Sequence, residues 1–275
     1  MIDAQRTVFT VAVSVTWRVF VVRDRIFGQI GSALPADGIR NVITRHSIAS
    51  GGHALDAVFV QPASQPVQAA LLVCHGIGEI VEHWVAAQDL LADYGVASLV
   101  FDYTGYGRSR GVVDWSRCEQ NAIDAFEFLR KLAPGAPVSI LGFSLGSGIA
   151  AAILDRIRVE RLFLCSAFTS FRDAACVLGL PRRLAGVLPA IWDSAASLKK
   201  SPVRVPVLVL HCERDRAFPV HMAEELAARC GRDAEFAVVP DHAHNEAFYL
   251  PKIAYWRHVV GRLVGEPAIP SVGAG

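Results

Sequence analysis

The sequence has almost no net charge, since 27 Lys and Arg residues against 26 Asp and Glu residues leave a formal charge of +1. A domain that binds nucleic acid usually carries a clear excess of Lys and Arg on one face, so this balance argues against a nucleic-acid partner. The six cysteines form no C-x-x-C pair, and three of them end apolar runs. We therefore expect reduced cysteines buried in the core of a cytoplasmic protein.

The sequence also lacks a hydrophobic run long enough to cross a bilayer. Its most apolar stretch, residues 8–22, is too short for a span and is interrupted by Arg18. It has neither a basic leader beyond Arg6 nor a clear cleavage site after it, which argues against a signal peptide. Alternating large residues predict a strand with one buried face. The alternative is a helix on a membrane surface, which would make the protein membrane-associated through residues 8–22.

Residues 1–40 are predicted to be an N-terminal extension, and residues 41–265 a single folded domain. From Ala69 onward, apolar runs rich in β-formers alternate with segments of helical length, which is typical of parallel strands covered on both faces. Gly51-Gly52 predicts a hairpin between the first two strands. We predict an α/β fold with a mostly parallel sheet and helices on both faces. The predicted strands are 42–49, 54–60, 71–74, 97–101, 138–141, 162–165, 207–210 and 236–239.

One irregular insertion interrupts this alternation, at residues 166–204. It is rich in Leu and Val and contains Trp192 and the prolines at 181 and 189, so it predicts two or three short helices. We interpret it as a small helical cap over a pocket, with ordinary sheet cover as the alternative. A last helix is expected near 249–264, and the Pro/Gly/Ala-rich tail at 266–275 is predicted to be disordered.

The most informative stretch is Val138 to Gly148, where a short apolar strand ends in Gly142-Phe-Ser144-Leu-Gly146 and passes into an Ala-rich helix. This G-x-S-x-G pattern is typical of a nucleophile elbow, in which a serine on a sharp strand-to-helix turn needs very small residues two positions away on each side. We predict Ser144 as the nucleophile. The amide of Leu145, at the helix N-terminus, is a predicted donor to an oxyanion.

Two loops that follow later strands could supply the base and its orienting acid. Asp215 follows the strand at 207–210, and His244 follows the strand at 236–239, so the chain order is Ser144, Asp215, His244. Nucleophile, base and acid on three separate strand ends are what a Ser-His-Asp triad requires. The sequence leaves alternatives open at this stage. His242 could be the base, and the acid could instead be one of two neighbouring carboxylates, Glu213 and Asp241.

A second oxyanion donor is expected in His75-Gly-Ile-Gly78, because glycines after a strand let backbone amides face a ligand. We assign the amide of Ile77 to this role, with Gly78 as the alternative, and expect His75 to be structural.

Taken together, these motifs resemble the α/β-hydrolase superfamily, over about residues 42 to 264. The matching motifs are His75-Gly-Ile-Gly78, Asp102-Tyr-Thr-Gly-Tyr-Gly-Arg-Ser109, Gly142 to Gly146, Asp215 with Phe218-Pro219, and His244-Asn245. The branch it resembles most holds lysophospholipases, acyl-protein thioesterases and serine aminopeptidase-like proteins, and the resemblance implies that fold and Ser-Asp-His chemistry. This chain departs from the pattern in two ways. The residues before His244 lack a frequent glycine, which keeps His242 as an alternative, and acidic Glu79 and Glu82 flank the oxyanion loop, which predicts poor use of anionic substrates.

We therefore predict a serine hydrolase that cleaves a carboxylic ester or thioester of a small to medium acyl group through an acyl-serine intermediate. No metal and no organic cofactor is expected. The predicted partner is a small-molecule ester or thioester, with peripheral membrane contact through the N-terminal extension as an additional hypothesis. Two alternatives are an acyltransferase that uses an acceptor other than water and a non-catalytic binding protein on the same fold.

Overall fold

A computed structural model describes residues 38–200, 205–230, 234–249 and 251–265. The strands are β1 Val42–Ser50, β2 His53–Gln61, β3 Ala69–Cys74, β4 Val96–Phe101, β5 Val138–Phe143, β6 Leu162–Cys165, β7 Val207–Cys212 and β8 Ala234–Val239. The α-helices are α1 Val85–Ala92, α2 Cys118–Leu132, α3 Leu145–Ala152, α4 Phe171–Val177, α5 Ser194–Lys200, α6 Val220–Cys230, α7 Glu246–Tyr249 and α8 Ile253–Val264. Short 3₁₀ helices cover Val81–Trp84, Trp115–Arg117 and Arg182–Val187.

The eight strands form one sheet in the order β1-β2-β4-β3-β5-β6-β7-β8. β2 is antiparallel to both of its neighbours, and the pairs from β4 through β8 are parallel. The β1–β2 hairpin closes at Gly51 and Gly52, whose φ angles of 52° and 82° favour glycine. The predicted mostly parallel α/β sheet is confirmed.

The apolar runs of the sequence become strands that are buried on both faces. Every residue of β3, β4, β5, β6 and β7 is buried. On one face, α2, α3 and α6 contribute residues such as Phe126, Ile149 and Leu226 to a core. On the other face, α1 and α8 contribute residues such as Leu91 and Trp256 to a second core. A fully buried apolar side chain contributes roughly 1.5–3 kcal/mol, so the two cores fix the sheet that carries the site.

The segment between β6 and β7 holds α4, the 3₁₀ helix Arg182–Val187 and α5, which are the short helices expected in the predicted cap. Its aromatic residues pack inward. Trp192 lies with ring centroids 5.5 Å from Phe171 and 6.1 Å from Trp115. The segment packs closely against α3 at Gly148: a Cβ added to this glycine would lie only 2.6 Å from the Trp192 Cβ.

The C-terminal helical region differs from the expected single helix. It is divided into α7 and α8, with Pro251 between them. Proline has no amide hydrogen to donate and its ring crowds the preceding turn, so a helix is interrupted there. Helix α8 then packs through Tyr255, Trp256 and Val259 against the sheet.

Several predictions fall on residues whose structure is not described. These are the strand or surface helix at residues 8–22, most of the N-terminal extension and the tail at 266–275, all of which lie outside the described residues. Among the residues that are described, no helix is both long and apolar enough to cross a bilayer.

Candidate active site

Ser144 lies on a strained turn between β5 and α3, with φ 50° and ψ −117°. Few L-residues adopt a positive φ, and such strain concentrates at functional sites. The turn is held because the Ser144 amide donates to the Cys165 carbonyl at 3.0 Å, and the Ser147 hydroxyl donates to the Ser144 carbonyl at 2.6 Å. The neighbouring β6 and the first turn of α3 therefore fix the position of the serine.

The two flanking glycines are required by close backbone contacts. A Cβ on Gly142 would lie 2.4 Å from the Gly146 carbonyl oxygen, and a Cβ on Gly146 would lie 1.9 Å from the Cys74 carbonyl oxygen. Both distances are far below a van der Waals contact, so only glycine fits at either position. The second contact also brings the end of β3, and the loop after it, against the elbow.

Asp215 is fixed in the loop after β7 by backbone amides. Its Oδ1 accepts hydrogen bonds from the amides of Ala217 at 2.8 Å and Phe218 at 2.9 Å. Its other oxygen, Oδ2, accepts from Nδ1 of His244 at 2.6 Å. Burial acts to raise the pKa of Asp215, but the charge of His244, this hydrogen bond and the Phe218 amide outweigh burial, and the pKa is lowered. Asp215 is thus an ionised acceptor that holds the Nδ1–H tautomer of His244.

The ring of His244 packs beside the elbow. Its centroid lies 5.0 Å from the ring of Phe143, the residue before Ser144, and 5.9 Å from the ring of Phe218. His244 and Ser144 are both buried. Because Nδ1 faces Asp215, the opposite ring nitrogen, Nε2, is the one through which this histidine would exchange a proton with a hydroxyl.

The alternative residues are engaged elsewhere. His242 donates from Nδ1 to the Pro240 carbonyl at 2.8 Å, and its ring lies 6.0 Å from that of Tyr255. Glu213 accepts from the Asp241 amide at 2.9 Å, and the Asp241 side chain pairs with Arg214 at the surface. Of the candidates named from the sequence, Asp215 and His244 are the acid and histidine in direct contact.

A second histidine, His211, also lies against the acid and was not singled out from the sequence. Its Nε2 donates to the Phe218 carbonyl at 3.1 Å and lies 3.8 Å from Asp215 Oδ2. Burial lowers the pKa of His211, and the charge of Asp215 opposes this only partly, so the ring is neutral. Its hydrogen bond to the Phe218 carbonyl stabilises the loop that carries Asp215. Its sequence signal was its place in β7, four residues before Asp215.

The loop after β3 lies directly against the nucleophile. A Cβ added to Gly76 would come within 3.1 Å of the Ser144 Cβ. The Gly76 amide is occupied, because it donates to Glu79 Oε2 at 2.8 Å. Within the described part of the chain, the amides of Ile77, Gly78 and Leu145 make no hydrogen bond. These amides are the donors that an oxyanion next to Ser144 could use, and Gly78 stays an alternative to Ile77.

Buried side chains below this loop hold its shape. His75 donates from Nδ1 to the Gly76 carbonyl at 2.8 Å, and its Nε2 lies 3.6 Å from Asp102 Oδ1. The same Asp102 oxygen accepts from the Val81 amide at 3.0 Å, while Tyr103 donates its hydroxyl to the His75 carbonyl at 3.1 Å. The Asp102-to-Ser109 motif therefore supports the loop.

All six cysteines are free thiols; four are buried, as the sequence predicted, and two, Cys176 and Cys230, are only half-buried. Burial raises the pKa of Cys118, Cys165 and Cys212 to about 12, so these thiols are protonated and unreactive. Among the described residues no group of three His, Cys, Asp or Glu side chains could hold a metal ion. A surface depression lined by Arg130, Val138 and Glu160 lies at the amino end of β5, at the opposite edge of the sheet from Ser144.

Comparison with known proteins gives a consistent result. A family model described as serine aminopeptidase, S33, matches residues 65–196, which include the loop after β3 and the elbow. The lysophosphatidylserine lipase ABHD12 of Xenopus tropicalis is 29% identical over 195 residues, covering 63% of this chain and 50% of the lipase. The mouse protein of that name is 26% identical over 234 residues, covering 77% and 58%. The chain spans about half the length of these curated relatives.

Solved structures share the fold at low identity. An esterase of Pyrococcus furiosus superposes with a TM-score of 0.65 at 18% identity, covering 86% of this chain and 96% of the esterase. A thermostable carboxyl esterase of Bacillus coagulans gives a TM-score of 0.64 at 15% identity, covering 82% and 99%. These similarities concern the fold.

Proposed function

Because the chain belongs to the α/β-hydrolase superfamily of serine hydrolases, we propose that it cleaves a carboxylic ester or thioester of a small to medium acyl group through an acyl-serine intermediate. The observation that carries this proposal is the 2.6 Å contact between His244 and Asp215, which lies beside the strained elbow of Ser144. Strained nucleophile, base and buried acid are the three parts of a Ser-His-Asp triad.

In the proposed mechanism the Ser144 hydroxyl attacks the substrate carbonyl carbon while Nε2 of His244 takes its proton. Asp215, ionised and hydrogen-bonded to Nδ1, stabilises the imidazolium that forms. The negative charge that develops on the carbonyl oxygen is accepted by the amides of Leu145 and Ile77. His244 then protonates the departing alcohol or thiol, and a water molecule activated by the same histidine releases the acid and regenerates Ser144.

Two features support an acyl group of limited size. Ser144 is buried, so the substrate must enter a confined site, and the segment between β6 and β7 buries Leu188 and Trp192, the Cβ of Trp192 lying close to Gly148 of α3. We propose that this segment caps the site and contacts the acyl chain. The curated relatives are named lysophosphatidylserine lipases, which adds lysophospholipids, with their phosphate on the alcohol side of the ester, to the candidate esters.

The test is hydrolysis of a panel of 4-nitrophenyl esters, acyl thioesters and monoacylglycerols, with free acid quantified directly. Ser144→Ala should lower kcat/KM by roughly 10³-fold or more, because the nucleophile acts as a unit with its base. Ser139→Ala, a buried serine on the same strand β5, is the matched control and should retain activity. Turnover that survives in Ser144→Ala would contradict the proposal, whereas transfer of the acyl group to an added alcohol without acid release would identify an acyltransferase.

A further inference from the structure

One buried carboxylate borders the proposed nucleophile and has no role in the triad. Glu79 is 4% exposed, and its Oε2 accepts hydrogen bonds from the Gly76 amide at 2.8 Å and from Nε1 of Trp84 at 3.0 Å. Its other oxygen, Oε1, lies 2.3 Å from the point where a Gly76 Cβ would stand, and the Ser144 Cβ lies 3.1 Å from that point. Glu79 Oε1 and the side chain of Ser144 therefore both lie next to Gly76.

The two acidic residues that flank this loop differ in their partners. Glu82 pairs with Arg45, and Nε of Arg108 lies 3.6 Å from the same Glu82 oxygen. Within the described residues, Glu79 pairs with no Lys or Arg; its two donors are the neutral N–H groups of Gly76 and Trp84. Of the two glutamates that flank this loop, Glu79 is therefore the one whose negative charge is not balanced by an arginine.

The surroundings of Glu79 make its charge sensitive to pH. Burial raises the pKa of Glu79. The charge of His75, the hydrogen bonds from Gly76 and Trp84 and the charge of His244 act in the opposite direction, but the pKa stays raised. Its field also reaches the buried phenols Tyr103 and Tyr106, and His75 in turn faces Asp102. Burial acts to lower the pKa of His75, but Asp102 and Glu79 outweigh burial and the pKa is raised. A protonated His75 would share its charge between Glu79 and Asp102, and no Lys or Arg of the described residues pairs with Glu79.

We propose that Glu79 is a specificity-determining residue that selects against substrates carrying a negative charge close to the scissile ester. This inference rests on the proposed function of Ser144. It narrows the substrate class to esters or thioesters that are neutral or cationic near the carbonyl. A fixed carboxylate several ångströms from an anionic group in a partly screened site repels it strongly, on the order of a tenfold effect on kcat/KM.

The experiment compares matched ester pairs in which one member is neutral and the other carries a sulfonate, which is ionised at every pH used. One pair is 4-nitrophenyl butanoate and 4-nitrophenyl 3-sulfopropanoate, and a second pair places the sulfonate on the alcohol side. Each kcat/KM is divided by the rate of hydroxide hydrolysis, and the anionic-to-neutral ratio is then taken, so that the common dependence on His244 cancels. The wild type should disfavour the anionic member of at least one pair. Glu79→Gln, which keeps the hydrogen-bonding shape, should raise the ratio for that pair roughly tenfold.

Glu82→Gln is the matched control, because Glu82 lies three residues away and is neutralised by arginines. It should leave the ratio within about twofold of the wild type. A ratio that is unchanged in Glu79→Gln for both pairs, or equally changed by Glu82→Gln, would overturn the proposal, since a structural role would alter both esters alike. If Glu79→Gln fails to fold, the wild type decides: a ratio that rises as the pH is lowered and Glu79 is protonated supports the proposal, and equal use of the neutral and anionic esters at the highest pH used overturns it. Absence of turnover on every ester would instead refute the proposed function itself.

Discussion

At the scale of single residues, the choice of base depends on which imidazole is held by a buried acid. His244 is fixed by Asp215 at 2.6 Å, whereas Nδ1 of His242 donates to a backbone carbonyl. The sequence could propose both histidines, because they are two positions apart in one loop. The sequence could not decide which of the two is the base, because that depends on how the loop after β8 packs against the loop after β7.

The first prediction compares these histidines. His244→Ala should lower kcat nearly as far as Ser144→Ala does, because the nucleophile is inactive without its base. His242→Ala should cost far less, since it removes only a backbone hydrogen bond and a ring contact with Tyr255. Steady-state kinetics on 4-nitrophenyl butanoate, with folding checked by circular dichroism, measure both. The reverse order of effects would make His242 the base.

The residues that sequence reasoning found and missed differ in a physical way. Ser144 can be identified from the sequence because its turn requires a glycine two positions away on each side. His211 has only a weak signal, its place at the end of β7 four residues before Asp215, and the contact between the two side chains becomes visible only in the structure. Likewise, Glu79 and Glu82 look equivalent in the sequence. Only the three-dimensional placement of Arg45 and Arg108 distinguishes them.

At the scale of elements, the elbow depends on close backbone contact between β3 and α3. The second prediction is that Gly146→Ala strongly destabilises the protein, by about 2 kcal/mol or more, because its Cβ would lie 1.9 Å from the Cys74 carbonyl oxygen. The expected readout is a lower midpoint in urea denaturation, together with loss of esterase activity.

The control for that variant lies in α8. A Cβ on Gly261 would meet nothing within 4 Å, so Gly261→Ala should stabilise the helix by roughly 0.5–1 kcal/mol. If both substitutions changed stability equally, the close approach at the elbow would not be the cause.

The third prediction concerns the segment between β6 and β7 as a cap. If its buried Leu188 and Trp192 line the acyl site, kcat/KM should rise from acetyl through butanoyl to hexanoyl esters, by roughly threefold or less per methylene, and then level off. Replacing residues 176–191 by a short Gly/Ser linker should flatten this dependence. Leu184→Ser, at a position 46% exposed, is the control that should preserve it.

Faster turnover of acetyl than of hexanoyl esters would reject the acyl-contact role of the cap. The sequence predicted short helices here from apolar content and prolines. It did not indicate which apolar residues face inward: Val177, Leu184 and Val187 are nearly half exposed, whereas Leu188 and Trp192 are buried. Irregular short helices carry too little periodicity to assign an inward face.

At the scale of the whole molecule, the parallel strands were predictable because buried runs must be apolar at every position. The break between α7 and α8 was missed because Pro251 was treated as part of a continuing helix. The sheet, both cores and all the proposed catalytic residues lie within the described residues, between positions 38 and 265.

The fourth prediction follows from that placement. A protein lacking residues 1–37 should hydrolyse soluble esters with kcat/KM within about threefold of the full chain. If residues 8–22 contact a membrane, the same truncation should abolish co-sedimentation with phosphatidylcholine/phosphatidylserine vesicles. A truncated protein that is folded but inactive on soluble esters would show that the N-terminal residues take part in the site.

The most direct test of the central claim is covalent labelling of the full chain with a fluorophosphonate, followed by peptide mass spectrometry. An activated serine beside amide donors attacks the phosphorus, displaces fluoride and keeps the phosphonyl group. We expect one labelled peptide, containing Ser144, no labelling in Ser144→Ala, and much slower labelling in His244→Ala. Modification at a different serine, or labelling that persists in Ser144→Ala, would contradict the assignment of Ser144 as the nucleophile.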